Sequence, residues 1–212
     1  MKYVFTFLAV LAFTTSFGQD EKSQAILDKL STKMKGMTSF YIEFSANIKN
    51  TSTGTNSTET GKGWVKGNKF YASYGENTMI CNGVKTWTIV KDERSVYESD
   101  ASADDEESIN PKRLMTIWET GFKNKYDHED KYNGEAVHII NLYPKVPSKA
   151  EYHTIVLFIS KADNELVKAS MKAKDGTVMT YVVTKFSANP AIEDAKFVFD
   201  KKKFPGYPVI KD

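Results

Sequence analysis

The residues that most often carry chemistry are few in this chain and are badly spaced for it. Three histidines, His128, His138 and His153, lie ten and fifteen residues apart, and Cys81 is the one cysteine. Zinc sites favour closely paired ligands, which this spacing does not offer. The histidines therefore read as partly exposed strand residues. Cys81 sits in an apolar strand pattern and reads as a small buried hydrophobe; alone it forms no internal disulfide. No Gly-x-Ser-x-Gly elbow is present, so serine-hydrolase chemistry lacks its usual marker. Gly61, Gly63 and Gly67 resemble a phosphate loop only faintly, since no helix follows them; relief of crowding in a bent sheet explains them better. The acidic run Asp104–Glu107 reads as a solvated loop. Asn50-Thr51-Ser52 and Asn56-Ser57-Thr58 match a glycosylation acceptor pattern, as an Asn/Ser/Thr-rich loop does by chance. The expectation is a protein without enzymatic activity, metal or cofactor.

What remains is a surplus of large apolar side chains, and the elements that would position them can be read from periodicity. Ser23 to Met37 has the spacing of a helix, with Ile26, Leu30 and Met34 on one stripe and Gly36 at its end. The period then falls to two through Phe40, Ile42, Phe44, Ala46 and Ile48, a half-buried strand. Asn50 to Thr60 reads as a flexible loop. A strand centred on Trp64 follows, then a turn at Gly67-Asn68 and a strand through Phe70, Ala72 and Tyr74. Asn82-Gly83 signals a tight hairpin between Met79–Cys81 and Lys85–Val90. Asn110-Pro111 opens a second short helix with Leu114, Trp118 and Phe122 as its stripe and Met115 and Ile117 beside it. Beyond Lys125, turn signals at Asn133-Gly134, Asp163-Asn164 and Asp175-Gly176 separate further strands. The uninterrupted apolar run 155–159 reads as a central strand covered on both faces. Residues 178–186 and 197–199 read as later strands. The fold class is α+β: one curled antiparallel sheet of roughly ten to eleven strands with two short helices on it.

In this reading Phe40, Ile42, Phe44, Trp64, Phe70 and Trp87 share one face, and the helices bring Ile26, Leu30, Met34, Leu114, Met115 and Trp118 to it. An ordinary core and an unfilled apolar pocket need the same residues, so the pattern leaves both open.

The start of the chain bears on compartment. Lys2, an apolar run from Tyr3 to Phe13 and a small, polar stretch to Gly18 have the order of a secretory signal peptide, too short to span a bilayer. Cleavage is expected near Gly18, leaving one domain, 19–212. No cysteine follows the apolar run, so the leader does not read as that of a lipoprotein. Of 29 basic and 27 acidic residues only Lys2 precedes Asp20, so the exported part is nearly neutral and nucleic acid is not an expected partner.

Several pieces in order resemble one family, the periplasmic outer-membrane lipoprotein carriers (LolA). They are the N-terminal helix, Ser39-Phe40-Tyr41-Ile42-Glu43-Phe44, Gly61-Lys62-Gly63-Trp64-Val65-Lys66 with Phe70, and Asn82-Gly83 with Thr86-Trp87. The best match is at the end, Asp194-Ala195-Lys196-Phe197-Val198-Phe199 followed by Pro205-Gly206-Tyr207-Pro208-Val209-Ile210. The resemblance implies an open, unclosed β-barrel with helices as a lid over a hydrophobic cavity. It implies a monomeric periplasmic chaperone that takes acylated lipoproteins from an inner-membrane ABC transporter toward an outer-membrane acceptor. By motif the cavity would include the six sheet residues just named; the first helix, with Ile26, Leu30 and Met34, and the second, with Leu114, Met115 and Trp118, would form a weakly packed lid. Many carriers have an Arg-Pro pair after the Trp-Val strand, the Arg linked to lid closure and release; Gly67-Asn68 stand there in this chain, and Lys66 or Lys69 are the nearest substitutes. The alternatives are a lipid-sensing or other lipid- or pigment-binding module of the same architecture, and a secreted hydrolase using carboxylates.

Overall fold

A computed structural model describes residues 20–101 and 117–211, and of Ile117 the backbone alone. The signal-peptide expectation, Leu114 and Met115 lie outside the described residues. Helix α1 spans Glu21–Lys35. It starts where Asp20 caps it: the carboxylate Oδ1 accepts from the backbone N–H groups of Lys22 and Ser23. Ile26, Leu27, Leu30 and Met34 are its buried stripe. Lys33 and Lys35 occupy its last turn, where cations suit the negative end of the helix dipole.

The strands are β1 (Ser39–Asn50), β2 (Thr55–Lys66), β3 (Lys69–Tyr74), β4 (Asn77–Cys81), β5 (Lys85–Val90), β6 (Ser95–Asp100), β7 (Phe122–Tyr132), β8 (Glu135–Pro144), β9 (Tyr152–Ser160), β10 (Leu166–Ala173), β11 (Val178–Ala188) and β12 (Val209–Lys211). They form one sheet in the order β12-β6-β5-β4-β3-β2-β1-β11-β10-β9-β8-β7. Two meanders, β1 to β6 and β7 to β11, are joined by the antiparallel pairing of β1 with β11. The end strands β7 and β12 do not pair with each other, so the barrel is open.

A single apolar cluster joins α1 to residues of strands from β4 to β7. Laid flat, those nine strands would be about 38 Å wide at the usual spacing, whereas a helix of this length is about 22 Å long. The sheet reaches one helix from both sides by curling around it, and the face bearing the helix is the inner one.

Several expectations are corrected. The sheet has twelve strands because the short β12 adds to β6, and it does so in parallel. β2 begins at Thr55, inside the stretch read as loop; the ladder with β1 supplies backbone partners that composition does not reveal. Trp118 lies in a 3-10 turn, Ile117–Glu119, and Phe122 already opens β7, because the chain breaks at Gly121 with a positive φ. The strand expected at 197–199 is not formed: Phe197 ends a 3-10 turn, Asp194–Phe197, and 198–199 are irregular. In the β4–β5 hairpin the closing pair is Asn82 with Lys85, so Gly83 and Val84 are the central residues. Gly83, at φ +91, supplies the left-handed first position that such a turn requires. β9 lies between β8 and β10 as expected. Ile155, Leu157 and Ile159 are buried inward, while Phe158, half-buried on the other face, is covered by the Lys168 side chain with Nζ 4.4 Å from the ring centroid.

Candidate functional site

The inner face gathers most of the residues that the sequence singles out. Phe40, Ile42 and Phe70 are buried in it, with Ile26, Leu30 and Met34 of α1 above them and Trp118 at the side. Trp118 is fixed by donating Nε1–H to Ser31 Oγ at 2.8 Å. Phe44 lies further along β1, stacked on Tyr74 at 6.0 Å between ring centroids. Elsewhere on this face several apolar residues are only partly covered: Met79, Ala169, Met171, Val183 and Phe186 are all half-buried against the core. Tyr74 and Tyr181 border this strip. Burial pushes both phenol pKa values up, assisted at Tyr74 by the nearby Glu59 carboxylate.

Trp64 and Trp87 are placed differently from the expectation: both lie on the outer face. Trp64 is opposite Tyr41 and Tyr71 in the ladders, and Gly61, Gly63 and Val65 take the inward positions of β2. Trp87 is opposite Ile80 and stacks on Phe199 at 5.5 Å. Alternation assigns two faces within each strand, but the phase between strands follows from pairing register, which one sequence does not display. The signal that could have helped is Gly63, since a small residue is suited to the crowded inner side of a bent sheet.

The cover formed by α1 is firmly seated. Asp20 Oδ2 accepts from the backbone N–H of Tyr126 at 3.1 Å, Ser23 Oγ donates to Asn124 Oδ1, and Asn124 Nδ2 donates to Gln24 Oε1 at 2.7 Å. At the other end Lys33 bonds Glu165 at 2.7 Å and Lys35 bonds Glu119 at 2.9 Å. Leu27 and Leu30 are almost fully enclosed, each worth about 2 kcal/mol of burial. This helix does not match the expected weakly packed lid. A cavity of about 120 Å³ opens beside its C-terminal end, lined by Met34, Met37, Phe40 and Val65.

The outer face has its own apolar cluster, Ile80, Ile89 and Val96, covered by Trp87, Phe199, Phe204, Tyr207 and Val209. The C-terminal strap, residues 190–208, crosses this face. Lys66 Nζ and Lys69 Nζ hold the two oxygens of Asp194 at 2.8 and 3.1 Å, and Lys66 also donates to the Ile192 carbonyl. Between strap and sheet lies a cavity of about 670 Å³. Tyr41, on its wall, donates to Glu43, a bond that pushes the phenol pKa up to about 12.

Among the described residues no three His, Cys, Asp or Glu side chains converge as metal ligands. His128 is beside Asp127, His138 contacts Tyr126 and His153 contacts Thr154. Among the described residues no helix is long and apolar enough to cross a membrane.

Comparison with solved structures places this architecture among known ones. An uncharacterized conserved protein of Thermus thermophilus is 12% identical with a TM-score of 0.56, covering 91% of this chain and 100% of its own. At that identity the likeness shows the fold. A DUF1329 family protein of Desulfovibrio piger has a TM-score of 0.47 at 12% identity, covering 87% and 98%. A LolA superfamily protein of Nitrosomonas europaea has a TM-score of 0.42 at 12% identity, covering 83% and 97%. No curated protein matches the sequence. The family model described as "Outer membrane lipoprotein carrier protein LolA" matches residues 35–200, from the end of α1 to the strap, and by that match the chain belongs to the LolA family.

Proposed function

We propose that this protein is a periplasmic carrier that shields the acyl chains of lipoproteins between an inner-membrane ABC transporter and the outer membrane. One observation supports this reading above the others: the curled sheet keeps half-covered Met, Val and Phe side chains on its inner face, packed against the core cluster but not enclosed by it. Each CH₂ taken out of water contributes about 0.8 kcal/mol, so an acyl chain lying there gains strongly. Methionines suit a surface that must accept chains of different length and kink. In this proposal the acyl chain lies over Met79, Ala169, Met171, Val183 and Phe186 with Phe44 beside them, while Phe40, Ile42 and Phe70, covered by α1, pack beneath. Ile26, Leu30 and Met34 form the fixed wall, and Trp118, with Leu114 and Met115, borders the chain. Trp64 and Trp87 take no part in it. The carrier acts as a monomer after loss of its leader and needs neither cofactor nor covalent step.

Handing the cargo on requires an acceptor that binds it better. Lys66 and Lys69, the nearest substitutes for the family's Arg, both hold Asp194 on the strap. Neither is left to act on the inner face. That arrangement favours a second reading, a lipid-binding module of the same architecture that keeps its ligand. The test is to add the purified protein to a triacylated lipopeptide in detergent-free buffer and follow its light scattering. A carrier keeps the lipopeptide dispersed at near-equal molar ratio and releases it to added liposomes. Retention after liposome addition selects the second reading, and unaltered aggregation overturns both.

A further inference from the structure

The cavity of about 670 Å³ lies on the outer face, away from the strip assigned to acyl chains, and is within the size range of small-molecule sites. Its floor is Tyr41, Trp64, Tyr71 and Ile80, and the strap closes it with Val198 and Phe204. Val198 is 60% exposed, a large apolar side chain left open among the described residues. Three lysines, Lys185, Lys196 and Lys203, and two carboxylates, Glu193 and Asp200, line the cavity. Lys196 Nζ sits 3.6 Å from the Trp64 ring centroid and 4.4 Å from that of Tyr71. The charged groups acting on it are Lys62 and Lys203; with burial as the larger cause, they hold its pKa below the ordinary lysine range. Of the strap's carboxylates, Asp194 is held by Lys66 and Lys69, while Asp200, on the cavity wall, accepts from the backbone N–H of Lys202. Glu193 lines the cavity but does not figure among the charges felt by Lys196.

A half-buried ammonium resting on aromatic faces, repelled by its charged neighbours and set beside an apolar floor, is complementary to an anion with an apolar body. The geometry points to a second ligand site in this cavity, which takes a single-chain anionic amphiphile with its headgroup on Lys196 and its chain over Trp64, Tyr71 and Ile80. The site is independent of the carrier reading, because it uses the other face of the sheet and the strap.

The probe is a photoactivatable palmitate, cross-linked to the whole protein and mapped by peptide mass spectrometry. Labels on residues 190–204 or on Trp64 and Tyr71 are the expected result. Lys196→Met lowers that labelling roughly tenfold, the scale of one charge-assisted bond, and Lys196→Arg restores it. Palmitate competes, its uncharged methyl ester does not, and competition by hexadecyl phosphate distinguishes a site for any anionic head from one for carboxylate alone. Labels confined to inner-face residues overturn the proposal and leave the carrier reading standing. Equal competition by the methyl ester, or labelling unchanged in Lys196→Met, overturns it as well.

Discussion

The ring of Phe44 lies across the backbone of Gly61: a Cβ on that glycine would stand 2.3 Å from Phe44 Cζ. The two residues are directly paired across β1 and β2. The aromatic ring thus occupies the space a side chain would need, and Gly61 is fixed by packing on the inner face. Gly61→Val expels the ring from its stack with Tyr74. The expected cost is about 1–3 kcal/mol, as is usual for overpacking, read as a lower midpoint in urea with an unchanged slope. An unaltered midpoint would show that the ring moves aside freely.

Asn124 joins α1 to β7 through two bonds, accepting from Ser23 and donating to Gln24. Asn124→Ala removes both ties between α1 and β7: the Ser23 hydroxyl keeps the Asp20 carbonyl, to which it also donates at 2.9 Å, but Gln24 Oε1 loses its donor. We expect a loss of about 1–3 kcal/mol and faster amide hydrogen exchange along α1 ahead of the sheet. A helix that exchanges only with global unfolding in this variant would show that Asp20, the Lys33 and Lys35 ion pairs and the buried stripe fix it without Asn124.

The strap's attachment is expected to depend on pH. Asp194 is held below the usual carboxylate range by hydrogen bonds from Lys66 and Lys69 and by their charge. A depressed folded pKa favours the attached state above the ordinary aspartate pKa, and that contribution is lost as pH falls through the lower, attached-state value. Amide protection in residues 190–204, taken relative to the intrinsic exchange rate at each pH, is therefore high at neutral pH and falls in acid. Asp194→Asn removes this dependence and shows the lower protection at neutral pH. A strap equally protected in the variant would place its attachment in Phe197, which is fully buried, and not in the ion pairs.

How much of this is legible in sequence differs by kind of signal. α1 is readable because its stripe and terminating Gly36 agree, although its start at Asp20 and Glu21 lies ahead of the Ser23 expected. The hairpin turns are readable because asparagine and glycine mark them. The inward placement of Phe40, Ile42 and Phe70 follows from period two and a single core. The positions of Trp64 and Trp87 do not follow, because each depends on the register with a neighbouring strand. The strap reads wrongly at Phe197 because burial of a short irregular segment has no period. The parallel addition of β12 to β6 joins residues more than a hundred positions apart and leaves no local trace.

The strip on the inner face gives the sharpest functional contrast, because adjacent residues of β10 point to opposite sides. Met171 pairs with Met179 on the inner face, while Lys172 pairs with Val178 on the outer one. Met171 is half-buried against the core, so a carboxylate there meets any acyl chain lying along the strip. Holding an ionised carboxylate against hydrocarbon carries a penalty of several kcal/mol. Met171→Asp is therefore expected to weaken lipopeptide binding by at least about a hundredfold, a loss of about 2.7 kcal/mol. Lys172→Asp changes the charge more, by two units, yet leaves binding within about twofold, since it faces away. Thermal unfolding of both variants separates binding from folding: Met171 is already partly in water, so Met171→Asp retains a cooperative transition. Equal affinities for the two variants would move the acyl chain off this face and end the carrier reading built on it.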